Sequence, residues 1–282
     1  MFLDGHGSGW ANVGLSRESL TVLGGKADSK DYEPAELEEV TAFRVLGATT
    51  IWLDIVHSVT AGTKPSSWPN QIFAANSTCQ IHLQKIMGCE NWAMIEIGRI
   101  AALHEEKMKS FGSEDRTCVR FNEEVNSIRF NIKQGLTQLM LETSVATEKA
   151  SQQFPKQRLL LPAMITRIFA LSARIYLQLV LGGFQVLQET EVSAAMEALR
   201  AESVFPFRAA LVFPLFICGI VSTPCNKKFI RDVFSSEPIR TPSLQHREKV
   251  ILVIEEIWSM KERDPGYTWK DCLALTGDVL LH

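Results

Sequence analysis

Apolar residues recur along this chain at helical spacing, and no stretch alternates apolar with polar positions between the Asn-Gly or Asp-Gly turns that announce a hairpin. The pattern predicts an all-α fold. Val40 to Val59 keeps a helical period, which Gly62, Pro65 and Pro69 end. A second helix is predicted over "GCENWAMIEIGRIAALHEEK", Gly88 to Lys107, and "SFGSEDRT" breaks the chain after it. Trp92, Ile95, Ile97, Ile100 and Leu103 form its apolar body, while Gly98 and Ala101 admit close neighbours. Glu96, Arg99 and Lys107 read as a narrow polar edge, and His104 with Glu105 as the solvent end of the helix.

A longer amphipathic segment runs from Val119 to about Ala150, with Phe121, Val125, Ile128, Ile132, Leu136, Leu139 and Val145 near one stripe. After "QQFPKQ", Pro162 is expected to open a helix that closes at Gly182 and Gly183. Two further helices, around Glu191 to Ala201 and Arg208 to Val221, lead to "NKKFIRDVF". The loop "SSEPIRTPSLQ" precedes a last helix, "HREKVILVIEEIWSMKER", and a short terminal turn, "TWKDCLALTGDVLLH". Residues 1–38 read as a flexible tail and linker, and residues 39–282 as one large multi-helix domain.

Composition narrows the function classes. The chain has 282 residues, 46% apolar and 22% charged, enough to bury a sizeable core. A net charge of −3 leaves no cationic excess for a phosphate backbone, so nucleic-acid contact by this chain is not expected. "MFLDGHGSGW" has no basic region followed by an apolar run, which points to an intracellular, reducing compartment. Six scattered cysteines are then expected reduced and buried, and the sequon at Asn76 unglycosylated. In "LLLPAMITRIFALSARIYLQLVLGG" Arg167 and Arg174 interrupt a run long enough to span a membrane, at about 3 kcal/mol each on insertion scales. "AALVFPLFICGIVS" is too short and carries Pro214, so both are read as buried helices and no membrane partner is expected.

Candidate chemistry is thin. His104 and Glu105 open the zinc-protease motif HExxH, but position 108 is Met where the second imidazole is needed, so His104 is expected as a buried or half-exposed structural residue. Cys218 and Cys225 stand seven apart, yet Leu215 occupies the place of a CxxC partner, and both are expected in the core. No metal, no cofactor and no catalytic residue is assigned. Asp54, beside Trp52 and His57, is the one carboxylate in a strongly apolar helix; it is either a general base or a structural cap or ion-pair partner. Arg167 and Arg174 share a helical face and either line a cavity for an acidic ligand or mark an exposed edge. With Trp92 and Arg99 of the second helix, these residues make up the candidate ligand-binding set: Trp52, Asp54, His57, Trp92, Arg99, Arg167 and Arg174.

Several stretches, in order, line up with one family. "FRVLGATTIWLDIVHSVTAGTKPSSWP" resembles the segment of the fungal-specific transcription factor domain in which a Trp and an Asp precede a Thr-Gly-x-x-Pro turn. "GCENWAMIEIGRIAALHEEK" is similar to its Gly-Cys-x-x-Trp helix, and "RIFALSARIYLQLVLGG" to its central Tyr-Leu helix. "FPLFICGIVSTPCNKKFIRDVF" and "IEEIWSMKERDPGYTWKDCLALTGDVLL" resemble its Pro-Leu-Phe-x-x-Gly segment and its close. The resemblance spans about residues 40–281. It implies an all-helical regulatory domain in the nucleus, normally C-terminal to a Zn2Cys6 cluster, in regulators many of which control secondary-metabolite genes.

The resemblance implies no catalytic residues. The six-cysteine cluster is not in this sequence, which is either part of a longer gene product or a stand-alone descendant that lost DNA contact; the expected partners are other transcription regulators or a small-molecule effector, with no direct nucleic-acid contact from this chain. Two alternatives stand beside this reading. One is an all-α enzyme of a specialised-metabolite pathway, a cyclase or isomerase built around Asp54, His57 or the arginines. The other is a protein-interaction scaffold. Oligomeric state is not set by the sequence.

Overall fold

A computed structural model describes residues 34–66, 82–109, 116–149, 156–240, 247–276 and 281. The expected tail, the Asn76 sequon and most of the "SFGSEDRT" break lie outside the described residues. Ten α-helices and two 3-10 segments form the regular structure of the described residues, and no strand occurs among them. The first five helices are α1 Pro34–Ala61, α2 Gln84–Met87, α3 Asn91–Lys109, α4 Arg116–Lys149 and α5 Lys156–Gly182. The 3-10 segment Gly183–Val186 leads to α6 Glu189–Arg200, and a second, Glu202–Leu211, leads to α7 Val212–Ile220. The chain closes with α8 Pro224–Phe234, α9 Glu248–Arg263 and α10 Trp269–Thr276.

Helix α5 organises the core because it is apolar on nearly every side. Ile165, Ile168, Phe169, Ala173, Ile175, Tyr176 and Leu179 are all buried, and α3, α4, α6 and α7 pack around them. Phe169 stacks on Phe213 of α7 with ring centroids 6.0 Å apart. Leu160–Val186 is long and apolar enough to cross a membrane, but 72% of its apolar window is buried inside the protein, the position of a core helix. Pro162 was expected to open α5 and instead lies inside it. In the second turn of the helix the proline removes one backbone hydrogen bond, the one its N–H would have made four residues back. The Thr166 hydroxyl then donates to the Pro162 carbonyl at 2.7 Å.

The C-termini of the two most buried helices are closed by side chains from their neighbours. Lys107 of α3 donates to the carbonyls of Val180 and Leu181 at 2.7 and 2.8 Å, where α5 runs out of backbone donors. Trp258 of α9 donates to Gly219 O at 2.8 Å, and Lys261 to Ile220 O at 3.0 Å, at the end of α7. The negative end of each helix dipole thus meets an ammonium, which lowers the cost of burying those carbonyls. Burial in turn lowers the pKa of both lysines.

Three sequence expectations change. The terminal "turn" is the eight-residue helix α10, whose Trp269, Cys272 and Thr276 are buried. It packs on α1 and α9, and the Thr276 hydroxyl donates to Thr60 O at 2.9 Å, joining positions 216 residues apart. Cys218 is buried as expected, whereas Cys225 is exposed, because α8 starts at Pro224 after the chain has turned out of the apolar core. Val145 is 47% exposed although it was assigned to the buried stripe of α4, and its neighbours Met140 and Leu141 are also exposed. Past Leu139 the stripe has little left to pack on.

Candidate functional site

A cleft of about 600 Å³ opens between α3 and α4. Its apolar base is Ile95, Ala102 and Leu103, and its polar wall is Glu96, Arg99, Glu106, Arg120, Glu124 and Asn131. Helical spacing puts these groups together. Glu96 and Arg99 are three apart, and Glu124 and Asn131 seven apart, so each pair shares a face of its own helix.

Arg99 is the hub of this wall. Its Nη1 donates to both carboxylate oxygens of Glu96 at 3.0 Å, its Nε to Glu124 at 2.8 Å, and its Nη2 to Ser127 Oγ at 2.9 Å. Asn131 adds a bond to Glu96 Oε1 at 2.9 Å. Glu96 was expected on a solvent edge and is instead 5% exposed, because α4 lies across it. Burial raises its pKa; the Asn131 hydrogen bond and the Arg99 charge oppose that rise without cancelling it. The planar fork of Arg99 engages both helices at once, which an ammonium could not do in the same geometry. These four bonds commit most of its five donors to the protein. Arg120 is an exposed cation at the wall of the cleft.

The remaining candidates do not line this cleft. Asp54 is half-buried on α1 and accepts a hydrogen bond from the Ser66 N–H at 3.1 Å, across the turn where Gly62 takes φ 65°. That contact ties the carboxylate to the turn that follows α1. Trp52 is buried and His57 exposed on the same helix. Trp92 donates to Glu90 Oε2 at 3.0 Å and lays its ring over Gly135 of α4, where an added Cβ would fall 2.5 Å from the ring. Arg167 is exposed, and Arg174 pairs with Glu191 at the start of α6, where Gln178 also donates to Glu191. Neither arginine lines the α3–α4 cleft. Only Arg99 of the set reaches the cleft. Its partners Glu96, Glu124 and Asn131 were not singled out from the sequence, although the last two border the buried stripe Val125, Ile128 and Ile132.

His104, expected as a structural residue, buried or half-exposed where the apolar body of α3 ends, is 2% exposed. Helix α10, unforeseen in the sequence, covers it: the imidazole lies 6.2 Å from the Trp269 ring, and Trp269 meets Tyr176 of α5 edge-on at 5.7 Å. Burial first, and the Lys107 charge second, lower the His104 pKa to about 4, so the ring is neutral near pH 7. Among the described residues, no group of three or more His, Cys, Asp or Glu side chains is placed to share a metal ion.

Comparison with known proteins sets this architecture in a family. The sequence matches the fungal-specific transcription factor domain over residues 20–281. It is 30% identical to the pestheic acid cluster transcriptional regulator 3 of Pestalotiopsis fici, covering 94% of this chain and 47% of that protein. It is 24% identical to the trichothecene biosynthesis transcription regulator of Fusarium sporotrichioides, covering 94% of this chain and 62% of that one. A further relative, the transcription factor dibT of Pestalotiopsis microspora, is 25% identical over 80% of this chain and 38% of its own length. The chain thus spans roughly half the length of the curated relatives it matches. No solved structure matches it. With the family match running through all ten helices, the chain belongs to the fungal-specific transcription factor domain family.

Proposed function

We propose that this chain is the regulatory body of a fungal transcription regulator that controls a secondary-metabolite gene cluster from the nucleus. The observation that carries the reading is the family match over residues 20–281, joined by relatives whose names place them at the pestheic acid and trichothecene pathways. The physical layout agrees with it. A single connected core, closed by lysines and by an arginine hub, suits a rigid body that transmits contacts. Deleting the gene in its host and measuring transcripts of neighbouring biosynthetic genes tests the proposal. Coordinated loss or gain of those transcripts is expected, restored by the re-introduced gene. Unchanged transcripts, together with no effect when the chain is fused to a heterologous DNA-binding domain upstream of a reporter, sink it.

The partners proposed are other transcription regulators or a small-molecule effector, and the α3–α4 cleft is the place where an effector fits. It offers the Glu106 carboxylate and the exposed Arg120 guanidinium over an apolar base, a lining suited to a hydroxyl-rich molecule. Thermal-shift measurements with a metabolite extract of the producing mycelium compare the protein with Glu106→Ala. A shift seen only in the unaltered protein supports the cleft; equal shifts in both, or none, remove it.

A further inference from the structure

Helix α8 has cations over aromatic rings on two opposite sides, and one side is neutralised while the other is not. On the first side Lys227 and Arg231 lie over the Trp258 ring of α9, each 5.0 Å from its centroid. Both find carboxylates on α9: Lys227 bonds Glu262 at 2.7 Å, and Arg231 bonds Glu255 at 2.6 Å. Phe229 is two residues from each of these cations, about 200° round the helix, and so faces the other way. There Arg200, the last residue of α6, lies 5.0 Å from the Phe229 centroid. Arg208, from the 3-10 segment Glu202–Leu211, lies 5.5 Å from the same centroid. Neither arginine forms an ion pair among the described residues. Two guanidinium charges beside one ring repel each other unless an anion joins them. Arg200 is exposed and donates from Nη2 to Asn226 Oδ1 at 2.6 Å, which holds it beside Phe229. Arg208 is half-buried, with its Nε buried and without a hydrogen-bond partner, and it also lies 4.7 Å from the centroid of Phe205. Burial lowers the Arg208 pKa. Phe205 itself is 47% exposed.

We propose that Arg200 and Arg208 form the docking site for an acidic segment of a partner protein, with a carboxylate on each guanidinium and an apolar side chain of the segment on Phe205. Three observations choose this occupant. The guanidinium forks match carboxylates in paired bonds, and the rings they lie over fix the planes of the forks. Phe205 supplies an exposed apolar contact that a bare inorganic anion leaves unused. The net charge of −3 opposes the approach of a long polyanion, so a short run of carboxylates fits better than nucleic acid. The contrast within α8 carries the argument furthest. Where its cations face α9, the fold supplies their counter-charges; on the Phe229 side the counter-charge has to come from outside. The site gives a chemistry to the protein partner of the regulatory reading and rests on that reading for its biological context alone.

Fluorescence anisotropy of the purified full chain is the test. The probe is a labelled peptide in which two aspartates flank a phenylalanine, compared with its asparagine counterpart; inorganic phosphate and a short DNA duplex serve as unlabelled competitors. The aspartate peptide should bind, more weakly as salt is added, and the asparagine peptide should bind at least about tenfold less tightly. Arg200→Gln, which keeps a donor for Asn226, should weaken binding by about fivefold, and Arg208→Gln by about tenfold. Arg231→Gln, on the neutralised side of α8, removes the same charge and should change affinity by less than about twofold. Arg200 is exposed, so circular dichroism of Arg200→Gln should be unchanged, and this variant decides the outcome if Arg208→Gln fails to fold. An aspartate peptide that does not bind overturns the proposal. Equal weakening by Arg200→Gln and Arg231→Gln overturns the site in favour of diffuse surface attraction. Phosphate that competes at the peptide's own concentration, or duplex DNA that binds more tightly than the peptide, overturns the protein partner. Transcript and reporter measurements bear on the regulatory reading and not on this binding, so the two fail separately.

Discussion

The imidazole of His104 and the indole of Trp269 stand 6.2 Å apart with their planes tilted by 43°, each ring about 2% exposed. One comes from α3 and the other from α10, so the ring contact closes the C-terminal helix onto the centre of the fold.

That contact makes stability depend on pH with a definite sign. In the unfolded chain His104 takes up a proton near its ordinary value of 6.5, and in the folded protein only at about 4. Its contribution is therefore complete above pH 6.5 and is lost as the pH falls through the folded value. The span corresponds to about 3 kcal/mol. Urea denaturation of the protein and of His104→Gln, compared at intervals from neutral pH down to about pH 4, isolates this group from the carboxylates that titrate in the same range. The stability gap between the two should change by about that amount and in that direction. A constant gap removes the assignment.

Gly135 leaves room for Trp92 to wedge between α3 and α4. A Cβ at that position would meet three ring carbons within 2.7 Å. Alanine usually stabilises a helix interior by about 1 kcal/mol over glycine. Here the overpacking term is larger, and Gly135→Ala should destabilise by about 1–3 kcal/mol. A thermal denaturation curve followed by tryptophan fluorescence checks both the magnitude and the displacement of the ring. An unchanged or raised melting temperature contradicts the wedge.

Arg99 and Glu96 should fail as a unit. Removing the guanidinium in Arg99→Ala leaves a buried carboxylate with Asn131 as its remaining hydrogen-bond partner, at a cost of about 3 kcal/mol. Glu96→Gln alone should cost less, since the amide still accepts a bond and carries no charge to compensate. In the double variant the two losses should fall well short of their sum. Additive losses in chemical denaturation would show that the pair is not coupled.

Much of the fold was legible in the sequence because its strongest signals are local. The helical period of α1, α3, α4 and α5 follows from side chains that share one continuous core, and Gly62 and Gly183 punctuate it where positive φ is needed. Family membership came from an ordered series of such local stretches. What stayed hidden depends on contacts distant in sequence. "TWKDCLALT" is too short to declare a helix by period alone, and its burial comes from α1 and α9. His104 then looks like a fraying end, because the residue that covers it lies far along the chain. Glu96 looks like a solvated edge for the same reason, since α4 is what removes its water. Of the candidate site, only Arg99 was identified: an arginine among apolar neighbours is visible, whereas its partners on the facing helix are ordinary surface types until packing places them. Arg167 is exposed on α5, whereas Arg174, one heptad on, is half-buried against Glu191 of α6.

The bond from Thr276 to Thr60 bears on how the chain is made. A ribosome releases α1 well before α10, and domains begin to assemble before synthesis ends. Until the final turns emerge, the Thr60 carbonyl lacks the hydroxyl it will accept, and His104 and Tyr176 lack the indole that shields them. The nascent protein therefore holds an open apolar seam from the time Tyr176 emerges until residues 269–276 follow, the condition in which chaperones engage a chain.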